Sequence, residues 1–391
     1  MGDIRPWLDS GLHRLATPWL KPFGRQMSSF HVCGLLGWGA AFGLAAWLTW
    51  RSGLELWVTT ILTLGTIVTF AGLTMLTKIL VGEEVIVYYH HEIAVVVVSS
   101  LLLWLLGQPI LPYLDVVFMG LGLFLACGRV GCLMVGCCHG QPHSWGVFYG
   151  LEHAKVGFPA HLVGVRLFPI QLVEALFVVA TVSIGTVMVL PHAAPGSALA
   201  FYSIAYGLGR FLLEFFRGDT GRPYWRSGSE AQWTSFAILV TVLALSGLGP
   251  VPFAGPLLVA TLAMATMLAL GAASDSPLRG LLRPNHVGEI AALLDAAHLR
   301  AEECGELHIG RTSLGLRVSA STIADGERRL DVFAFSEETC PLDDKTARRL
   351  ARLMTQLRGM IGEGELQKGD RGVYHLILPV VTPDREMAHA V

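Results

Sequence analysis

Apolar runs of membrane-spanning length fill the first two thirds of the chain, separated by short polar turns. A helix needs about 20 apolar residues to cross a bilayer. Runs of that kind fall near 30–50, 54–76, 91–107, 111–135, 168–190, 197–217, 233–249 and 252–271. The third is short, and only GLGPVPF separates the last two, so about seven to eight transmembrane helices are expected. A polar, basic leader over 1–29 precedes them, and no cleavable signal is evident. After the linker SDSPLRGLLRPN, near 274–285, the pattern changes. VGEIAALLDAAHLRAEEC has apolar residues three and four apart, the period of an amphipathic helix. LHIGRTSLGLRVSAS, RRLDVFAFSE and GVYHLILPV read as strands. DDKTARRLARLMTQLRGMI reads as a second helix with Asp343 as its N-cap. The expected fold is therefore an all-α polytopic membrane protein with a small C-terminal α+β soluble domain. The expected divisions are the leader (1–29), a membrane domain (30–273) and the soluble domain (285–391).

Composition agrees. Of 391 residues, 53% are hydrophobic and only 15% charged, which fits a membrane protein with a soluble part attached. A net charge of −2 gives no basic surface for nucleic acid. The seven cysteines do not form a secreted disulfide framework. Cys33 and Cys127 fall in apolar helix, Cys304 and Cys340 stand alone in the soluble domain, and Cys132, Cys137 and Cys138 cluster. The soluble domain has no Gly-rich phosphate loop and no metal-ligand spacing, which leaves a regulatory or docking module as its default role.

Charges inside the apolar runs carry the chemistry. SALAFYSIAYGLGRFLLEFFRGD holds Arg210, Glu214 and Arg217, four and then three residues apart, on one helical face with Tyr206. A charge at the bilayer centre costs at least about 2.5–3.5 kcal/mol, so such groups face a protein or water interior and pair. Two arginines around one glutamate leave net positive charge, and guanidinium forks match phosphate. That combination suggests an enzyme holding an anionic lipid headgroup. FLACGRVGCLMVGCCHGQPHSWG adds Arg129, Gly128, Gly131 and Gly136, then Cys132, Cys137, Cys138 and His139. Closely spaced glycines let a neighbour or ligand approach the backbone, although a snorkelling arginine among small packing residues would look the same. FPIQLVEALF places Gln171 and Glu174 three apart, able to orient an arginine or a hydroxyl, or to join two helices. In GEEVIVYYHHEIAVVVV, His90 and His91 stand at a membrane boundary, suited to proton transfer or to interfacial anchoring. Asp115, fourteen residues before Arg129 and about 21 Å away along a helix, reads as structural.

GRVGCLMVGCCHG, PIQLVEAL and YGLGRFLLEFFR, in that order and each beside a span, resemble the prolipoprotein diacylglyceryl transferase family. The resemblance covers about 30–250. It implies transfer of a diacylglyceryl group from phosphatidylglycerol to a prolipoprotein cysteine thiol, with glycerol phosphate leaving. It implies phosphate binding by Arg129 and Arg210, a base at His90 or His91, and positioning by Gly128, Gly131, Cys132, Gln171, Glu174, Tyr206, Glu214 and Arg217. No metal and no cofactor is implied. The expected partners are phosphatidylglycerol, a prolipoprotein and the lipid bilayer, with no nucleic acid, and the expected place is a bacterial inner membrane. This chain departs from the family motifs at several points. Cys132, Val135 and Cys137 replace two asparagines and a glutamate, and Phe168-Pro169-Ile170 replaces His-Pro-Ser. Val173 replaces a tyrosine, and the Gly-Gly after the family histidine is missing. An alternative is a thiol-redox or metal-binding protein built on Cys132, Cys137, Cys138 and His139, against which the adjacency of Cys137 and Cys138 counts.

Sidedness is in tension with the resemblance. The loops expected beside the site carry Lys78, Lys155, Arg166, Arg217, Arg222 and Arg226, whereas LGQPILP and LPHAAPGS on the other side carry no Lys or Arg and only Arg51 is basic on that face. The positive-inside rule then puts the leader, the site face and the soluble domain in the cytosol, while the family's site faces outward. The C-terminal domain is expected in the cytosol. A re-entrant hairpin made of the last two runs is the arrangement considered for separating it from an outward site.

Overall fold

In the computed structural model the described residues are 11–82, 87–190, 193–220, 223–226, 228–273, 278–304, 309–325, 328–338, 341–360 and 364–379. Cys340 and the side chain of Cys304 lie outside them. Among the described residues eight long helices form the membrane part: α1 Ser29–Arg51, α2 Leu56–Val81, α3 Tyr88–Leu105, α4 Ile110–Val135, α5 Ile170–Val189, α6 Ser197–Leu213, α7 Glu230–Gly247 and α8 Ala254–Ala273. All but α7 are long and apolar enough to cross a membrane. The 18-residue α7 opens on Glu230 and Gln232, capped by a reciprocal pair of bonds between Ser229 and Gln232, and packs against α6 and α8. At 1.5 Å per residue it is about 27 Å long, close to the thickness of the hydrocarbon core. The chain is a multi-pass membrane protein. Its outward surface is apolar, with Leu36, Trp50, Val68, Leu101, Val187 and Val259 exposed, as a lipid-facing surface requires.

Close contacts fix the direction of each helix. Gly131 packs on Phe30 and Cys33, Gly37 on Cys127 and Gly120 on Ala41, so α1 runs antiparallel to α4, with their site-proximal ends together. On the opposite face Gly196 meets Leu111 and Pro252, and the Ser52 hydroxyl donates to the Val189 carbonyl. Asp115 is structural, as its position suggests: its two oxygens accept from Gly196 N and Leu199 N at 2.7 and 2.8 Å, capping α6.

The two last membrane helices are an antiparallel pair, and α8 returns to the face where α7 began, with Leu268 lying against Gly228. Beyond α8, helices α9 (Pro284–Cys304) and α10 (Asp344–Leu357) pack on a five-stranded antiparallel sheet. With β1 as Pro142–Val147 of the membrane part, the sheet strands are β2 Ile309–Arg311, β3 Leu316–Asp325, β4 Arg328–Glu337, β5 Glu365–Lys368 and β6 Tyr374–Pro379, in the order β2-β3-β4-β6-β5. Asp343 caps α10, its carboxylate accepting from Thr346 N, in agreement with the sequence reading.

The soluble unit is docked on the membrane part. One continuous core joins Ile290, Leu294, Leu350 and Met354 to Tyr149, Phe158, Leu162 and Leu167 of the segment between α4 and α5, and to Leu12 and Ala16 of the leader. Leader, site loops and soluble unit therefore share one face. A re-entrant hairpin cannot separate them, because α7 and α8 leave from and return to that face whatever depth they reach.

Candidate active site

Glu174 is the hub. It projects from the first turns of α5 with no exposed surface, and three arginines from three different segments surround it. Arg129 Nε on α4 is 2.9 Å from Glu174 Oε2, Arg217 Nη1 is 3.7 Å from the same oxygen, and Arg210 Nε on α6 is 4.0 Å from Oε1. The Tyr206 hydroxyl donates to Oε1 at 3.1 Å. Each remaining arginine has its own carboxylate. Arg210 Nη1 lies 2.6 Å from Glu214 Oε2 one turn on, and Arg217 grips Asp219 through Nε and Nη2 at 2.8 and 3.2 Å. Relative exposures of 7%, 6% and 1% for Arg129, Arg210 and Arg217 keep these ions from bulk water, so their charges are countered within the cluster, although among the described residues Arg129 Nε, Arg217 Nη1 and Glu174 Oε2 make no hydrogen bond.

The sequence suggested unbalanced positive charge; among the described residues, three arginines meet three carboxylates, because Glu174 and Asp219 join Glu214. The cluster can still hold an anion, since a guanidinium has five donors. Among the described residues Arg129 pairs only with Glu174, through Nε, which leaves its two terminal nitrogens available.

Local backbone explains why the three segments converge. The α4 helix ends at Gly136, whose φ of +84° is a left-handed cap that reverses the chain. Residues 139–141 then run beside 216–218: Gly218 N donates to His139 O and Gln141 N to Phe216 O. Gly218 approaches Gly140 so closely that a Cβ would sit 2.3 Å from its carbonyl oxygen. This strip sets Arg217 over the end of α4. Gln171 braces the turn, donating from Nε2 to the Cys137 carbonyl at 3.0 Å and to the Tyr149 hydroxyl at 3.3 Å.

The charged cluster forms one end of a cavity of about 1490 Å³, above the usual ~300–1,000 Å³ of small-molecule sites. The other end is apolar and reaches Ile110, Leu111, Pro250 and Val251 near the opposite face. Polar head at one end and hydrocarbon at the other is the shape of a lipid.

Most of the expected residues come together. Gly128, Arg129, Cys132, Tyr206, Arg210, Glu214 and Arg217 all line the cavity, with Gln171 and Glu174 directly behind. Gly131 does not belong with them: it is a packing glycine against Phe30 and Cys33 of α1. His90 and His91 also stay outside. His90 points to the surface and pairs with Glu230 at 3.4 Å. His91 is buried against α2, Nε2 to Thr74 at 3.2 Å and Nδ1 to the Val87 carbonyl at 3.0 Å, with its ring on Phe70. Their neighbours Tyr88, Tyr89 and Glu92 line the cavity instead. Glu92 and Asp219 went unread in the sequence. The first was hidden beside two histidines, and the second by a spacing of two residues after Arg217 that is not helical.

Cys132, Cys137 and Cys138 bring their sulfurs within 4.8 Å of one another at the same end. The neighbouring Cys132 and Cys137 thiols favour the Cys138 thiolate, and Arg217 and Arg129 act the same way against burial, so its pKa lies well below the ordinary thiol range. His139 is not part of this group: its Nδ1 donates to the Gly140 carbonyl at 2.9 Å, and burial keeps its pKa below the ordinary value.

Residues 86–247 match the prolipoprotein diacylglyceryl transferase family. That stretch contains every arginine and carboxylate of the cluster and ends at the last residue of α7, leaving α8 and the soluble unit outside. A phosphatidylglycerol–prolipoprotein diacylglyceryl transferase 2 of Clostridium perfringens is 32% identical over 138 residues, 34% of this chain and 49% of that protein. A phosphatidylglycerol–prolipoprotein diacylglyceryl transferase of Clostridium tetani is 30% identical over 110 residues, 28% of this chain and 43% of that protein. The chain thus spans about half the length of the curated relatives it matches.

Proposed function

We propose that this chain is an integral membrane transferase that moves the diacylglyceryl group of phosphatidylglycerol to a cysteine thiol of a prolipoprotein. One observation carries the reading: a lipid-sized apolar cavity ends in three buried arginines organised by a single carboxylate. Arg129 and Arg210 hold the phosphate, and Arg217 supports them. The acyl chains lie toward Leu111 and Val251. Attack of the acceptor thiolate on the glyceryl carbon forms the C–S bond and breaks the C–O bond to phosphate. Charge grows on the departing glycerol phosphate, where fixed guanidinium donors favour the transition state over the ground state. Gln171, Glu174, Tyr206 and Glu214 hold those donors in place.

The test is transfer in phosphatidylglycerol nanodiscs with a cysteine-containing prolipoprotein peptide, read as peptide mass gain and glycerol phosphate release. Arg210→Lys keeps the charge and loses the fork, and activity should fall about tenfold or more. Wild-type protein that releases no glycerol phosphate refutes the reaction.

A second reading concerns sidedness. Basic side chains concentrate on the face shared by the site and the soluble unit, which by the positive-inside rule is cytosolic. The acceptor thiol is then presented from the cytosol. An impermeant maleimide applied to intact cells should label Gln108→Cys and spare Lys155→Cys. The reverse pattern would put the site and the soluble unit outside together.

A further inference from the structure

An acceptor thiol must lose its proton; His91 is turned to Thr74 of α2, and His90 meets the cavity only through Glu230, which lines it. A different group faces that space. Cys132 sits in the last turn of α4, Gly136 reverses the chain, and Cys138 takes φ +55°, a left-handed backbone disfavoured for a residue with a Cβ. Such an outlier is held by its surroundings and points to function. Its effect is to fold Cys138 back on Cys132, so that residues adjacent in sequence and residues a turn apart present three sulfurs to one point.

The spacing suits a metal ion. Bonds of about 2.3 Å to thiolate put the sulfurs about 4 Å apart around one centre. The three sulfurs, each within 4.8 Å of the others and none in a disulfide, close on such a centre with side-chain movements under about 1 Å. Thiolates select soft or borderline cations, zinc or copper(I), over magnesium and calcium. All three cysteines line the cavity, so the fourth side of the site is open to it. Three protein ligands and one open position is the arrangement of catalytic zinc, as opposed to a closed structural site. Three thiolates outweigh a divalent ion by one negative charge, and Arg129 and Arg217 stand on the same cavity wall.

We propose that Cys132, Cys137 and Cys138 bind one zinc-class ion whose fourth position takes the acceptor thiol. The second half rests on the transferase reading, and the metal site does not. On coordination the acceptor S–H releases its proton to water. The bound sulfur then forms the C–S bond as the glyceryl C–O bond breaks, and glycerol phosphate leaves with that electron pair.

The test uses the full chain purified in detergent under reducing conditions. Elemental analysis should find about one zinc per chain, and cobalt(II) titration of chelator-stripped protein should give a thiolate-to-cobalt charge-transfer band. The Cys132→Ser, Cys137→Ser, Cys138→Ser triple variant should lose both, and Cys33→Ser should keep both. If the triple variant does not fold, chelator stripping and zinc restoration of the wild type gives the same readout. Wild type without stoichiometric zinc or a cobalt band, or a triple variant that binds cobalt like the wild type, overturns the site. A cysteine peptide added to the cobalt form should shift the band where its serine analogue does not. An unchanged band overturns thiol activation. A shifted band with no glycerol phosphate release keeps the site and refutes the reaction.

Discussion

Glu174→Gln is the most informative single change in the cluster. The substitution keeps size and shape and removes one charge from the point where three arginines meet. Contacts of 2.9 and 3.7 Å to Arg129 and Arg217 are each worth roughly 4–6 kcal/mol of attraction at an effective dielectric near 20. Most of that is offset by the desolvation of the ions, so the intact network adds little net stability. Breaking it is different, because Arg129 would keep its charge, stay buried, and lose its one carboxylate partner. Removing one partner of a buried pair costs about 3–5 kcal/mol, and Glu174→Gln should be destabilised by that amount in a denaturant titration of the detergent-solubilised protein. The decisive comparison is the double variant Glu174→Gln with Arg129→Met. It should be more stable than Glu174→Gln alone, because the orphaned charge is gone, although transfer is lost. A loss of under about 0.5 kcal/mol in the single variant, the size of an ordinary surface change, would refute the closed network. It would mean that water in the cavity solvates the arginines.

Three further outcomes follow from the geometry. His90→Gln and His91→Gln should leave the transfer rate well short of the roughly 100-fold loss expected of a general base, and a loss of that size in either would put the histidine back in the reaction. Gly218→Ala forces a Cβ against the Gly140 carbonyl, so it should destabilise by about 1–3 kcal/mol as overpacking does and reduce transfer by displacing Arg217; an unaffected variant would show that the strip does not set the arginine. His153 accepts at Nδ1 from Gly150 N and donates from Nε2 to the Met134 carbonyl, which fits only the neutral ring, and burial, with His13 nearby, lowers its pKa. A lowered histidine binds fewer protons folded than unfolded, so its stability contribution is complete above about pH 6.5 and is lost as pH falls below it. The melting temperature should drop on acidification, and His153→Gln should flatten that slope, though not abolish it, because burial lowers His139 and His161 too; an identical slope in the variant would count against the assignment.

Run length alone set the membrane architecture, because bilayer thickness imposes it and every spanning helix must satisfy its own backbone bonds. The sequence also exposed Arg129, Arg210, Glu214 and Arg217, since an ionisable group in an apolar run needs an explanation wherever it occurs. Helical periodicity put Tyr206 with Arg210 and Glu214, and that grouping lines the cavity in the structure. What periodicity could not supply was any relation between segments. Glu174 looked like half of a polar pair on one helix; only the packing of α4, α5 and α6 makes it the common partner of three arginines. Arg217 follows the last helical turn, so its position comes from the strip beside Gly140, a contact between residues 77 apart. His90 and His91 were chemically plausible bases, and a rotation of about 100° per residue around α3 turns them to the surface and to α2 while Glu92 faces the cavity. Read along the chain, the adjacency of Cys137 and Cys138 is poor metal-ligand spacing. A left-handed turn at Gly136 and another at Cys138 bring Cys132 to them through space. Local pattern decides which side chains must be satisfied; the three-dimensional path of the chain decides by whom.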